Sequence, residues 1–155
     1  MTVKAQKILN LTTFDHISMV VKDARKTAKS MESNLGIGPW AFHEWGNSAR
    51  ILVAYAYLHN GVEFELIQVV KGRIYHSEFE DNHGEGLHHI GFAVDDVLAD
   101  TKKLVEHGAK VVLDQGAGCQ YIKFDDDGGA IVELYKKHPP FLESWSIPEK
   151  QPAHE

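Results

Sequence analysis

The hydrophobic and polar positions of this chain write one pattern twice. Residues 14–23, FDHISMVVKD, and residues 87–96, LHHIGFAVDD, both run apolar residue, any residue, His-Ile, then an alternating apolar stretch closing on Val-x-Asp. Setting His16 against His89 (89 − 16 = 73) also aligns Ile17 with Ile90, Val21 with Val94, Asp23 with Asp96 and Lys29 with Lys102. Period-two alternation predicts a strand in each copy. The period then lengthens to that of a helix. Ala24, Ala28, Met31 and Leu35 share one face in the first copy; Val97, Thr101, Leu104 and Val105 do so in the second, before Gly108 ends it. Asp23 and Asp96 stand at N-cap positions, where a carboxylate accepts from the free amides of a first turn.

Strands follow each helix. The first copy gives WAFHEW (40–45), ILVAYAYL (51–58), a turn at HNG and VEFELIQVV (62–70); the second gives AKVVL (109–113), CQYIKF (119–124), a turn at DDDGG and AIVELYK (130–136). FEL (64–66) and VEL (132–134) close the copies at an offset of 133 − 65 = 68, so the second copy has shorter loops. The expected fold class is α+β, built from two tandem βαβββ modules. The expected organisation is an N-terminal extension over 1–13, a single domain over 14–136 with modules at 14–70 and 87–136, and a tail over 137–155. That tail carries an aromatic patch, Phe141, Leu142 and Trp145, expected to dock on the body or a partner subunit or to lie over the pocket as a lid, with disorder beyond Pro148.

The repeat carries chemistry. His16 and Glu65 lie on the first and last strands of copy one, and His89 and Glu133 hold the same places in copy two. Alternating side chains on paired modules can bring both sets to one concave surface. Two imidazoles and two carboxylates suit a borderline-to-hard divalent ion, namely Co, Mn, Fe, Ni, Zn or Mg, with one or two positions left open. Glu63 shares a face with Glu65. Strict alternation puts His88 opposite His89 and gives it no ligand role. His43, His59, His76, His83, His107, His138 and His154 have no repeat partner and default to surface or loop.

Composition narrows the class further. With 155 residues, 43% hydrophobic and 25% charged, the chain can bury one good core. A net charge of −6 and only three arginines (Arg25, Arg50, Arg73) argue against a nucleic-acid partner. Cys119 is alone, so neither an intramolecular disulfide nor a thiolate metal site is expected. The opening MTVKAQKILNLTTF lacks a signal-like apolar core, and no window reaches bilayer length, so the expectation is a soluble, cytoplasmic protein with no membrane partner.

DHISMVV and HHIGFAVDD, taken with FELIQ and GGAIVELY, resemble the vicinal oxygen chelate (glyoxalase/bleomycin-resistance/dioxygenase) superfamily over about residues 14 to 136. The resemblance implies a cup-shaped, metal-lined sheet with His16, Glu65, His89 and Glu133 as ligands, and a homodimer. Within the superfamily, GLHHIGFAVDDV, the helix-like YHSEFEDNHGEG before it and GGAIVEL are most similar to methylmalonyl-CoA epimerases and to epimerase-like racemases of aromatic ketones, such as the dihydrodaidzein racemases. That similarity implies a metal-dependent isomerase exchanging the proton alpha to a carbonyl through an enolate, on a small-molecule acyl-CoA or an isoflavanone. A cation polarises the carbonyl as a Lewis acid while carboxylates move the proton. Glu133 and Glu44 are the implied bases, Glu44 lying where the epimerases carry a proposed catalytic glutamate; Glu63 is a third candidate. Trp40, Phe42 and Glu44 share one strand face, and if that face is the cup the pocket suits a flat aromatic substrate. The alternatives are a glyoxalase I-like hemithioacetal isomerase and a metal-free drug-binding protein of the same fold.

Overall fold

The computed structural model describes residues 7–126 and 128–136; the predicted aromatic patch and the chain beyond Pro148 lie outside these. Module one runs β1 (Phe14–Val20), α1 (Ala24–Leu35), β2 (Ala41–Gly46), β3 (Arg50–Tyr57) and β4 (Glu63–Lys71). A linking helix, α2 (Tyr75–His83), leads to module two: β5 (Gly86–Val94), α3 (Val97–Glu106), β6 (Lys110–Asp114), β7 (Cys119–Lys123) and β8 (Val132–Lys136). The fold is α+β, as the repeat predicts.

All eight strands join one sheet in the order β2-β3-β4-β1-β5-β8-β7-β6. Each module contributes four strands in the same internal order, and the two halves meet at the antiparallel pair β1–β5. Within a module the first strand lies parallel to the last, β1 to β4 and β5 to β8. These pairings respect the repeat. Ser18 faces Glu65 across β1–β4, and its counterpart Gly91 (18 + 73) faces Glu133 across β5–β8.

Both predicted caps form. Asp23 Oδ1 accepts from the Lys26 amide and Asp96 Oδ1 from the Ala99 amide, each at 2.9 Å. Helices α1 and α3 cover one side of the sheet and bury two cores there. Ala24 and Ala28 of α1 pack with Leu52, Ala54 and Leu66, joined by Met31, Trp40 and Phe42; Val97 and Leu104 of α3 pack with Val94, Ile122 and Leu134, joined by Ile8, Leu9 and Leu11 from ahead of β1. Leu35 and Val105, expected on the buried stripes, are exposed: Leu35 is the last residue of α1, and Val105 follows Leu104, which takes the buried position. No described helix is long and apolar enough to cross a membrane.

Candidate metal centre

The β1–β5 seam carries two β-bulges, and they place the histidines. Register slips once between Phe14 and His16, leaving Asp15 as the extra residue, and once where Ser18 faces His89 but Met19 faces Leu87, leaving His88 as the extra residue. Asp15 and His88 are repeat counterparts (15 + 73). A bulge re-aims the side chains next to it, and here it breaks the alternation that assigned His88 to the far face. His88 is buried, with Nδ1 2.7 Å from His89 Nδ1.

The other side of the sheet is concave, and at the seam three of the four predicted ligands converge. His16 Nε2 and His89 Nε2 are 3.1 Å apart, and each lies 2.9 Å from Glu133 Oε2. Glu65 faces the same space but stands off, its Oε1 3.8 Å from His89 Nε2 and held by the Ser18 hydroxyl, which donates to it at 2.7 Å. The structure does not bring Glu44 to the cluster. It sits on the other face of β2, partly exposed, 3.5 Å from the Arg50 guanidinium. The alternation that put Trp40, Phe42 and Glu44 on one face holds, but that face lies over α1; it is Trp45 that turns to the cup. Glu63 is buried beside His16 in register, against Tyr57, and burial raises its carboxyl to about 7 despite the Tyr57 hydrogen bond. His59, His83 and His107 are exposed as expected, but His76 is not. It is 3% exposed, because α2 folds over the seam and packs its ring 4.7 Å from that of His88.

Every residue of the cluster has a supporting partner. His16 Nδ1 lies 2.8 Å from Asp15 Oδ2, and the Cys119 thiol donates to Glu133 Oε1 at 2.9 Å, which leaves Oε2 for the histidines. Gly91 makes room for the His16 ring: a Cβ there would lie 2.1 Å from Cε1. Sequence reading left Asp15 and His88 as the arbitrary residue of the repeat; their position directly before each histidine was the available signal. Ser18, Gly91 and Cys119 carried none, since their parts depend on cross-strand register.

These residues fit a divalent cation. Donors about 2.1 Å from a shared centre and at right angles stand about 3.0 Å apart, which matches the spacings of Nε2, Nε2 and Oε2. Without a cation, protons supply the positive charge. Burial disfavours charge on His16, yet hydrogen bonds to Asp15 and Glu133 and the charges of Glu133 and Glu65 outweigh it and hold the imidazole well above its usual range. Burial likewise opposes ionisation of Glu133, but its hydrogen bonds to His16 and His89 and their charges keep it well below the carboxylate range.

Glu133 of the triad faces a cavity of about 1000 Å³ lined by Trp45, Ile51, Val53, Tyr55, Tyr75, Tyr121 and Tyr135 among others, with Glu65 and Glu133 its acidic groups and no lysine or arginine among its described lining. The profile of the Glyoxalase/Bleomycin resistance protein/Dioxygenase superfamily matches residues 15–124. The chain belongs to this superfamily. Solved structures of similar fold include a variant of the Streptomyces coelicolor methylmalonyl-CoA epimerase in complex with 2-nitronate-propionyl-CoA, at 22% identity and a TM-score of 0.66, covering 84% of this chain and 100% of that one. The Mycobacterium tuberculosis methylmalonyl-CoA epimerase is 21% identical at 0.67, covering 92% and 97%. A hypothetical protein from Bacillus halodurans is 16% identical at 0.69, covering 82% and 95%. No curated protein matches by sequence. At these identities the likeness establishes the fold that superfamily members share, and the chemistry rests on this chain's residues.

Proposed function

We propose that this superfamily member is a metal-dependent racemase or epimerase that exchanges the proton alpha to a carbonyl. The observation that carries the reading is the His16–His89–Glu133 triad, whose Glu133 faces the aromatic cavity beside Glu65. His16, His89 and Glu133 would hold the cation, with Glu65 poised to join. A bound divalent ion there would act as a Lewis acid on the carbonyl oxygen, lowering the cost of alpha-proton removal.

The chain's own groups do the rest. Glu65 and Glu133 are the acidic groups facing the cavity, so proton removal and return fall to them and not to Glu44. Glu65 is the better placed, because Ser18 occupies one of its oxygens and the other is free for a substrate C–H. The apolar walls exclude water, which favours return of the proton to carbon over loss of the enolate charge to solvent.

The lining also bears on the substrate. An acyl-CoA bearing a carboxylate, or a glutathione adduct, brings anionic groups that ordinarily meet lysine or arginine, and this cavity offers them carboxylates instead. A neutral aromatic ketone such as an isoflavanone is the better match, its rings meeting tyrosine and tryptophan faces. The test is deuterium incorporation in D2O followed by NMR, with methylmalonyl-CoA and an isoflavanone offered in turn to metal-loaded and chelator-treated protein. Metal-dependent exchange on the isoflavanone is expected. Exchange on methylmalonyl-CoA alone would overturn the substrate assignment. No exchange on either, with metal bound, would overturn the reaction in favour of hemithioacetal isomerisation, and no metal binding would leave a drug-binding protein.

A further inference from the structure

The proposed reaction occupies the seam of the sheet and leaves the outer walls of the cavity without a role. Those walls come from the two edge strands, β2 and β6, and they differ. β6 contributes Leu113, whereas β2 contributes Trp45. Phe42 of β2 serves the helix-side core, and Trp45 turns the other way, toward the cavity. It is 46% exposed, although an indole offers a large apolar area to bury.

Three features hold this exposed ring in place. Its N–H donates to the Tyr55 hydroxyl. The His43 ring packs against it, with centroids 4.2 Å apart and planes inclined by 56°. Directly after it, Gly46 turns the chain at a φ of +101°, where a Cβ would collide with the Ala49 carbonyl oxygen. A side chain already fixed in this way loses little conformational freedom when a ligand covers it, which lowers the cost of binding.

The same contacts aim the ring. Trp45 pairs with Ile51, and Tyr55 pairs with Glu65, so the Trp45 and Glu65 rows lie four residues apart along β3, about 13 Å. The indole leans back toward the Glu65 row, since its N–H reaches Tyr55. Between them the cavity wall is Ile51, Val53, Tyr55 and Ile67, apolar but for one phenol. A ketone whose reacting C–H meets the carboxylates at the seam therefore extends its frame over aliphatic side chains and ends against the indole.

We infer that Trp45 is a specificity-determining residue, the stacking platform for an aryl ring carried by the substrate. This rests on the reaction proposed above. An indole gains more from a planar aromatic ring than from an aliphatic group of similar area. The carboxylates meet the same kind of C–H in every ketone, so discrimination among ketones falls to the wall.

The test compares the unaltered chain, Trp45→Leu and Trp45→Phe, each metal-loaded and chelator-treated, with an isoflavanone and alpha-methylcyclohexanone as probes. Calorimetry reads binding, tryptophan fluorescence reports contact with the indole, and deuterium exchange reads turnover. The isoflavanone should quench the fluorescence of the unaltered chain with or without metal. Trp45→Leu should weaken its binding roughly 10-fold. The kcat/KM preference for the isoflavanone over alpha-methylcyclohexanone should fall by a similar factor, through KM and not kcat. Trp45→Phe should keep most of the preference while losing the quenching. Unchanged Zn2+ affinity certifies the fold of each variant; if Trp45→Leu fails that check, Trp45→Phe and the quenching decide. Isoflavanone binding unaffected by Trp45→Leu, or equal losses on the two ketones, would overturn the inference and leave the reaction standing. An assembly that Trp45→Leu dissociates in sedimentation would also overturn it, because Trp45 would then face a second copy of the chain. Trp45-dependent isoflavanone binding without exchange on either ketone would overturn the reaction and keep Trp45 as the platform of a bound aryl ligand.

Discussion

The two modules share their strand order, their capped helices and a His…Glu pair, yet they do not contribute equally to the centre. The difference lies in two pairs of counterparts. Where module one has Ser18, module two has Gly91; where module one has Asp15, module two has His88. The Ser18 hydroxyl holds Glu65 away from the triad, while the missing side chain at Gly91 lets the His16 ring settle beside Glu133. Asp15 gives His16 a carboxylate partner, and His88 gives His89 an imidazole. Two substitutions thus make the copies of one fold unequal: His16, His89 and Glu133 meet closely, while Glu65 stands off.

The largest expected effect tests the first pair. Gly91→Ala puts a methyl group into the space of the His16 ring and should reduce metal affinity by roughly 100-fold or more. The matching change in module one, Ser18→Gly, should leave affinity unchanged or raise it, because Glu65 is then free to approach His89. Calorimetric titration with Zn2+ reads both. Equal losses in the two variants would erase the distinction between the modules.

A smaller effect separates the histidines by pH. His76, under α2 beside module two, is held down to about 4 by burial and by the charge of His89. The unfolded chain takes up its proton first as pH falls, so folded stability is lost between pH 6.5 and about 4. His76→Phe removes that loss and should gain on the unaltered protein, by on the order of 1–3 kcal/mol across this window. His16 behaves in the opposite sense. Its value is raised in the folded, metal-free chain, so it contributes stability below pH 6.5 that fades as pH rises through the raised value. Denaturant unfolding of the metal-free protein at several pH values reads both signs, and a His76→Phe advantage that grows toward neutral pH would contradict the burial of a neutral ring.

The smallest effect concerns Glu44. As a partly exposed residue on the helix side of β2, it should tolerate Glu44→Gln with stability changed by less than about 0.5 kcal/mol and with metal affinity and proton exchange unaltered. Loss of exchange in this variant would return it to the reaction.

Much of this was legible in the sequence. The offset of 73 fixed the pairing of the modules, and the matched His16–His89 and Glu65–Glu133 placed all four residues on the cup. What sequence could not resolve was side-chain direction near irregular pairing. The strand carrying His88 reads as a regular alternation, and only the slipped register shows that two successive histidines approach one site. Trp40, Phe42 and Glu44 were correctly placed on one face, but the choice of face depends on where α1 packs, which periodicity alone does not give. The burial of His76 likewise follows from the docking of a helix that has no repeat counterpart.

The most direct test of a single centre shared by two half-sites is Co2+ titration followed by its visible absorption, on the unaltered chain and on His16→Ala and His89→Ala. One Co2+ per chain is expected, with binding lost when either histidine is removed. Undiminished binding after removal of one histidine, or no stoichiometric binding by the unaltered chain, would contradict it.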